Sequence, residues 1–255
     1  MSHEPPPVVD FSLPPYTRRD IAYQAAGAIL GLGLTAAGGV WLTRFWIVHP
    51  PSALGVVASL LVAIYMADLV SGMFHWAFDT WFDESMAAIR RSVVTVREHH
   101  IFPNRIFRVK FHEEVGTLGW NATVFTGLPM LLILSGAAGD GSWTAYVVLM
   151  AVVFNLLMIG MLEFHKCGHR TANPAWIRAL QRSGLLLSRD HHLKHHRGNH
   201  DINYCLVTGW ADQTLGRLGL FRLLERLIAR GTGAQPQRND HEWLARAGRL
   251  VHRTP

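Results

Sequence analysis

Charge is scarce in this 255-residue sequence. Asp, Glu, Lys and Arg together make up 16% of it, against about a quarter in a soluble domain. Cysteine is scarcer still: Cys167 and Cys205 cannot build the disulfide framework of a small secreted scaffold. No segment repeats, and residues 1–20 (MSHEPPPVVDFSLPPYTRRD) lack the basic-then-apolar order of a secretory signal, so none is expected. What is abundant is apolar residues, at 49% with a mean hydropathy of +0.15. That balance excludes a disordered, collagen-like or coiled-coil chain and points to a membrane protein. The length fits one domain, or at most two small ones.

Four apolar stretches follow the polar N-terminus, at about Ile21–Thr43, Ser52–Phe74, Leu118–Ala138 and Trp143–Leu162. Each is close to the roughly 20 residues that a helix needs to cross a 30 Å hydrocarbon core. Asp68 is the single charge within them. Four such runs are poorly explained as buried helices of one soluble core. The expected fold is an all-α membrane protein: four transmembrane helices with a cytoplasmic, helical, His-rich cap holding two metals. Gly27 and Gly31 have the small-residue spacing that lets helices approach closely. Gly31-Leu32-Gly33 brushes a dinucleotide fingerprint, but it lies inside an apolar span and reads as packing.

The basic excess is +6 at pH 7. With four spans, 23 of the 24 Lys and Arg fall on one side, in the N-terminus, the 75–117 loop and the tail from 163; Arg44 is the exception. By the positive-inside rule that side is cytoplasmic. The charge then reflects topology and lipid head groups, and no nucleic-acid partner is expected. The bacterial inner membrane is the expected location, with both termini and the active site cytoplasmic.

Fifteen histidines are the most informative feature. Most flank the cytoplasmic ends of spans two and four. His75 opens H-W-A-F-D, with Asp79 one turn later; His99 and His100 sit in R-E-H-H-I-F-P. His165 and His169 form an i, i+4 pair on one helical face, and R-D-H-H-L-K-H-H-R-G-N-H supplies His191, His192, His195, His196 and His200. Isolated histidines such as His49 and His252 read as interfacial or solvated. Imidazole suits iron, zinc and copper when several rings converge. Eight or more nitrogens exceed one ion's sphere, so two ions are implied, and adjacent His-His pairs can address both. Structural zinc would recruit paired cysteines, absent here. A carboxylate-bridged di-iron site is disfavoured, because carboxylates are few and Glu163 has the wrong spacing to His165. A nitrogen-rich dinuclear site is more typical of iron that activates dioxygen.

These boxes resemble a known family. A-D-L-V-S-G-M-F-H-W-A-F-D-T-W, R-E-H-H-I-F-P, F-H-K-C-G-H and H-H-L-K-H-H-R-G-N-H…Y-C-L-V-T-G-W are similar, in order and spacing, to the Kua/CarF-type lipid desaturases over about Ala67–Asn239. The resemblance implies an O₂-dependent lipid desaturase whose two iron ions are held by His75, His99, His100, His165, His169, His192, His195 and His196. His191 and His200 come next as ligands or as residues that orient them, and Asp79 and Glu98 as acceptors for the far ring N–H groups. Val109 stands where the family pattern has a further histidine; either His112 substitutes three places later or the site lacks that ligand. The substrate would be a phospholipid-linked alkyl-ether or acyl chain. With no flavin, haem or nicotinamide motif, electrons would come from a separate cytochrome b5-like or ferredoxin-like carrier. The rival readings are a di-iron hydroxylase and, from another class, a membrane metal transporter or sensor. The desaturase domain would span 21–239, preceded by a polar segment at 1–20 and followed by a polar tail at 240–255. Within it, Gly216–Arg230 reads as an amphipathic helix, fit either to lie on the cytoplasmic leaflet or to cover the cytoplasmic domain.

Overall fold

A computed structural model describes residues 16–86, 89–139, 141–238, 240, 242 and 243. Residues 1–15 of the polar N-terminal segment and most of the C-terminal tail lie outside the described residues. Four long apolar helices dominate: α1 (Arg18–Val48), α2 (Ala53–Thr80), α4 (Phe111–Leu134) and α5 (Ser142–His169). All four are long and apolar enough to cross a membrane. Between α2 and α4 lie the short helix α3 (Arg90–Ile101) and a 3-10 turn at Pro103–Arg108. After α5 come α6 (Ala175–Arg182), α7 (Arg189–His195), a π-turn at Asp212–Gly216 and α8 (Leu220–Thr232). The described residues contain no strand.

The long helices start where local chemistry satisfies their free N–H groups. Thr17 and Asp20 cap α1 reciprocally, and Ser52 Oγ accepts from Gly55 N at 3.1 Å to cap α2. The long helices outrun the apolar stretches read from the sequence, and the third is also shifted, running 111–134 against 118–138. It begins early because the Glu113 carboxylate accepts from Lys110 N at 2.9 Å, and it ends early because Gly136 turns left-handed at φ +78°.

α1 runs alongside α4 in the same direction, their glycines meeting. A Cβ on Gly27 would lie 2.1 Å from Gly116 O, and one on Gly31 would lie 2.7 Å from Gly119 Cα. α2 and α5 form the second parallel pair and run the opposite way, with Ser52 near Tyr146 at one end and Ala67 and Val70 against Phe154 and Met158 further along. α5 is central and touches the other three. The N-terminal ends of α1 and α4 and the C-terminal ends of α2 and α5 therefore share one face of the bundle, where α3, α6, α7 and α8 gather.

α8 covers this polar end. Its inner face buries Phe221 against Trp76 and Tyr204, and the Glu225 carboxylate accepts from the Trp76 indole at 3.1 Å. Its outer face exposes Arg222, Leu223, Arg226 and Leu227. It starts at Leu220 rather than 216, because the π-turn and the left-handed Gly219 (φ +85°) intervene.

Candidate metal centre

Two clusters of ligating side chains sit side by side where α2 and α5 reach the polar end. In the first, His99 of α3, His165 and His169 of α5, His192 of α7 and His196 just beyond it each bring one nitrogen within 4.8 Å of all the others. In the second, one nitrogen each from His75 of α2, His100 of α3 and His195 of α7 and a carboxylate oxygen of Asp79 of α2 lie equally close together. The adjacent pairs His99/His100 and His195/His196 are each divided between the clusters. The His75 and His165 rings, one from each cluster, are 5.6 Å apart.

The nitrogen geometry of the first cluster fits a cation. The Nε2 atoms of His165, His169 and His192 form a triangle with sides of 2.8, 2.8 and 3.2 Å, and His196 Nε2 lies 3.0 Å from His192 Nε2. Each nitrogen of a neutral imidazole either donates or accepts. Three mutual contacts therefore cannot all be hydrogen bonds, because two of the three nitrogens must share a role. Nitrogens bound to one ion at about 2.0–2.1 Å stand about 3 Å apart when their bonds are near right angles. His99 Nε2 is also buried without a partner.

In the second cluster the tautomers are set by acceptors behind each ring. His75 Nδ1 lies 2.9 Å from Tyr204 O, and His195 Nδ1 lies 2.8 Å from Ile202 O. A carbonyl only accepts, so both rings carry their proton on Nδ1 and turn a lone pair inward from Nε2. His100 Nδ1 is 3.0 Å from an Asp240 carboxylate oxygen, which accepts in the same way. Those inward Nε2 atoms lie 3.4, 3.5 and 3.6 Å from the Asp79 carboxylate, whose two oxygens are buried without a hydrogen bond. Three lone pairs and a carboxylate facing one point fit a metal ion. Burial and the neighbouring rings hold His99, His100, His192, His195 and His196 well below the usual histidine range, in the neutral form that ligates.

The loop that carries Tyr204 O and Ile202 O is itself anchored by acids. Asp68, the charge within span two, is fully buried: its Oδ1 accepts from the backbone N–H groups of Val207, Thr208 and Gly209 at 3.1, 2.6 and 2.9 Å, and its Oδ2 from Ala211 at 2.9 Å. Ser71 Oγ accepts from Leu206 N at 3.0 Å. Asp212 accepts from Tyr204 N and Cys205 N, both at 3.0 Å. The loop lies flat on α2 because residue 72 is glycine; a Cβ there would stand 2.6 Å from Cys205 Sγ.

Several residues singled out from the sequence sit elsewhere than expected. Asp79 is not an acceptor for the far ring N–H groups, which are taken by Tyr204, Ile202 and Asp240; its carboxylate faces the near nitrogens instead. Glu98 is spent on the Arg105 guanidinium in the turn after α3. His112 is exposed on the first turn of α4, outside both clusters. His191 turns to Asp212, at 2.9 Å. His200, expected as a ligand or as a residue that orients one, stays beside the centre: it stacks flat on His100 at 4.1 Å, shares the Asp240 carboxylate with it, and forms with the two a third group able to hold a metal ion. Sequence reasoning missed Asp240, which also receives Arg97 at 3.3 Å, and Arg97 itself, fully buried, which donates to Asp79 O at 2.7 Å. Nothing local in the sequence distinguishes Asp240. Asp68 did carry a signal, as a charge in an apolar span.

A buried, nitrogen-rich, two-cluster centre at the polar end of a four-helix membrane bundle narrows the comparison with known proteins. The lipid desaturase domain family matches residues 64–239. The chain belongs to the lipid desaturase family. Its members are oxidoreductases, and its curated relatives are named accordingly. The chain is 34% identical over 204 residues to plasmanylethanolamine desaturase 1 of Mus musculus, covering 78% of this chain and 72% of that protein. It is 31% identical over 186 residues to the plasmanylethanolamine desaturase of Myxococcus xanthus, covering 72% and 64%. It is 33% identical over 174 residues to the chloroplastic fatty acid desaturase 4 of Arabidopsis thaliana, covering 68% and 51%. The match thus spans less than two thirds of the length of the last two. No solved structure matches.

Proposed function

We propose that this lipid desaturase is a di-iron enzyme that uses O₂ to introduce a double bond into a phospholipid-linked chain. The alkyl-ether chain of a plasmanyl lipid stands ahead of an acyl chain as substrate. The observation that carries the reading is the pair of buried clusters, five nitrogens in one and three nitrogens with a carboxylate in the other. Iron held there would supply the oxidising power to take two hydrogens from adjacent carbons of the chain.

The chain's own residues bind, orient and exclude water. Tyr204 O, Ile202 O and Asp240 hold the rings of the second cluster so that Nε2 faces inward. Below the centre, an apolar cleft of about 230 Å³ opens between α2, α4 and α5, lined by Val62, Met66, Val70, Phe125, Pro129 and Phe154. Val70 is followed one turn later by Phe74, packed edge-on to Phe125 at 6.1 Å, and then by His75. A hydrocarbon tail lying in this cleft leads towards the centre from the lipid side, where water is scarce.

Depth favours a bond near the head group, in an ether-linked or an ester-linked chain alike. His75 stands 22 residues beyond the start of α2, about 33 Å at 1.5 Å per residue. That passes a hydrocarbon core of about 30 Å. A bond reached at this depth lies among the first carbons of the chain.

In this reading the polar end is cytoplasmic, the membrane is the bacterial inner membrane, and a separate cytochrome b5-like or ferredoxin-like protein delivers electrons. The desaturase unit comprises about 21–239, with Asp240 and Trp243 packed onto it: Trp243 is fully buried and donates to Glu84 at 2.9 Å. A metal transporter would place free ionisable groups along the spans, whereas Asp68 is consumed by four backbone N–H groups.

Lipid mass spectrometry on a host lacking such enzymes, fed alkyl-ether lipids, tests the proposal. Vinyl ethers are expected with the wild type and not with His192→Ala. New acyl double bonds would move the substrate to the acyl branch, and added oxygen without unsaturation would make the enzyme a hydroxylase. No lipid change, with iron bound and a carrier supplied, would sink the reading.

A further inference from the structure

Every ligand of the second cluster, His75, Asp79, His100 and His195, is buried. An ion must therefore pass other residues to reach it, and a metal site needs an entry path as well as ligands. Two cavities meet the cluster from the same side. One, of about 550 Å³, has Gly198, Asn199 and Arg238 exposed at its rim and the buried His100 in its wall. A smaller one reaches Asp79, whose carboxylate oxygens have no hydrogen-bond partner. Both are lined by Asn199, His200, Arg238 and Asp240. His200 and Asp240 thus stand between the exposed rim and two ligands of the second cluster.

This pair is spaced as a ligand set. His200 Nδ1 lies 3.0 Å from Asp240 Oδ2. That separation suits a hydrogen bond, and equally two neighbouring ligands of one ion, since bonds of about 2.1 Å near right angles put their atoms about 3 Å apart. With one nitrogen of His100, the two ligating atoms lie within 4.8 Å of one another. Arg97 sits on the other oxygen, Oδ1, at 3.3 Å, which leaves Oδ2 to the two rings. Arg238, the cation at the rim, pairs with Glu225 and, at 3.8 Å, with Asp201, so carboxylates offset its charge.

The backbone is bent to place His200 there. His200 is left-handed at φ +54°, as is Asn203 at φ +58°, a region that residues with a β-carbon keep only where the surroundings hold them in it. The contact that holds the ring is its stack on His100, with planes 4° apart. The stack sets His200 directly behind a ligand of the second cluster. An ion on His200 and Asp240 would have two protein atoms and complete its sphere with water, whereas the second cluster offers three nitrogens and a carboxylate. Binding therefore strengthens inward. A site on a path must bind well enough to fill and weakly enough to empty, and a two-ligand site does both.

We propose that His200 and Asp240 form a metal-entry site, a weak third position where a divalent first-row cation, Fe²⁺ in the desaturase, pauses on its way to the second cluster. The assignment rests on the metal-centre reading above, so its test follows the metal and not the product. Metal-free full chain in detergent, kept anaerobic, would be mixed with Fe²⁺, and the loaded protein then challenged with an Fe²⁺ chelator. His200→Asn removes the imidazole and keeps a residue that tolerates the left-handed backbone. It is expected to finish with two ions per chain, as the wild type does. Its second cluster should load about tenfold more slowly and release its ion about tenfold more slowly, a barrier raised by about 1.4 kcal/mol in both directions. A residue that merely orients His100 gives the opposite sign on removal, weaker binding and faster release. Asn199→Trp, at the exposed rim, should slow both rates by plugging the cavities without touching a ligand. In the wild type, excess Co²⁺ should add a third, weaker ion in equilibrium dialysis, and His200→Asn should lose it. Unchanged rates in both variants, faster release from His200→Asn, or no third ion at saturating Co²⁺ would each overturn the entry site. No ion bound in any preparation would instead remove the metal-centre reading on which it rests.

Discussion

The two clusters are neighbours with different supports. In the second, each ring is backed by a fixed acceptor: Tyr204 O behind His75, Asp240 behind His100, Ile202 O behind His195. In the first, the Nδ1 atoms of His192 and His196 are buried with no partner, and the rings are aimed by helix geometry and by one another. One centre is thus oriented by hydrogen bonds to groups outside the helices that carry its rings, and the other by the i, i+4 register of α5 and α7. Acceptors behind ligating histidines hold tautomer and ring angle, so the protein itself orients the second cluster's rings, although His100 Nε2 and His195 Nε2 there also stand only 3.1 Å apart. The first, with unreconciled nitrogens 2.8 Å apart, would depend more on a bound ion.

The sharpest test of this contrast removes one ring from each side. His192→Ala and His195→Ala should each abolish double-bond formation and lower bound iron from two ions per chain towards one, read by metal analysis beside lipid mass spectrometry. Retention of both irons in either variant would mean that the clusters are not separate sites. Next in size is Asp68→Ala, which leaves four buried N–H groups without their charged acceptor. A loss of about 3–5 kcal/mol is expected, seen as a lowered thermal midpoint in detergent, with the second cluster losing metal first because its acceptors ride on that loop. A smaller effect is expected from Asp240→Asn: the second cluster's metal affinity should fall about 10- to 100-fold in a chelator titration, with the first cluster unmoved. Equal losses from both would show that the two supports act as one. Smallest is His112→Ala, at an exposed position, which should shift stability by no more than about 0.5 kcal/mol and leave metal content unchanged. Lost iron there would reinstate His112 as the stand-in for the histidine missing at Val109.

Much of the fold was legible because hydropathy and capping are local properties. The four spans, the close glycine approach of α1 and the polar end that gathers the histidines all follow from runs of residues near in sequence. The misplaced residues share a different cause. Glu98 and Asp79 both sit within four residues of a histidine, and adjacency suggested similar parts for them. Glu98 leaves α3 towards Arg105, whereas Asp79 shares a helical face with His75 and enters the second cluster. For α8, amphipathicity alone could not choose between membrane and protein. The inner stripe with Phe221 and Glu225 meets Trp76 only because α2 ends beneath it.

By itself, then, the sequence determined which helices are long and apolar enough to cross a bilayer, which end is polar, and which rings are available to a metal. Those depend on side-chain chemistry and helical period. Tertiary structure alone decided how the rings divide into two clusters, which nitrogen of each faces inward, and that one carboxylate joins them. A lone pair's direction is set by the acceptor behind the ring. Those acceptors come from residues more than a hundred positions away: Tyr204 behind His75, on the loop folded around buried Asp68, and Asp240 behind His100, on the segment that follows α8.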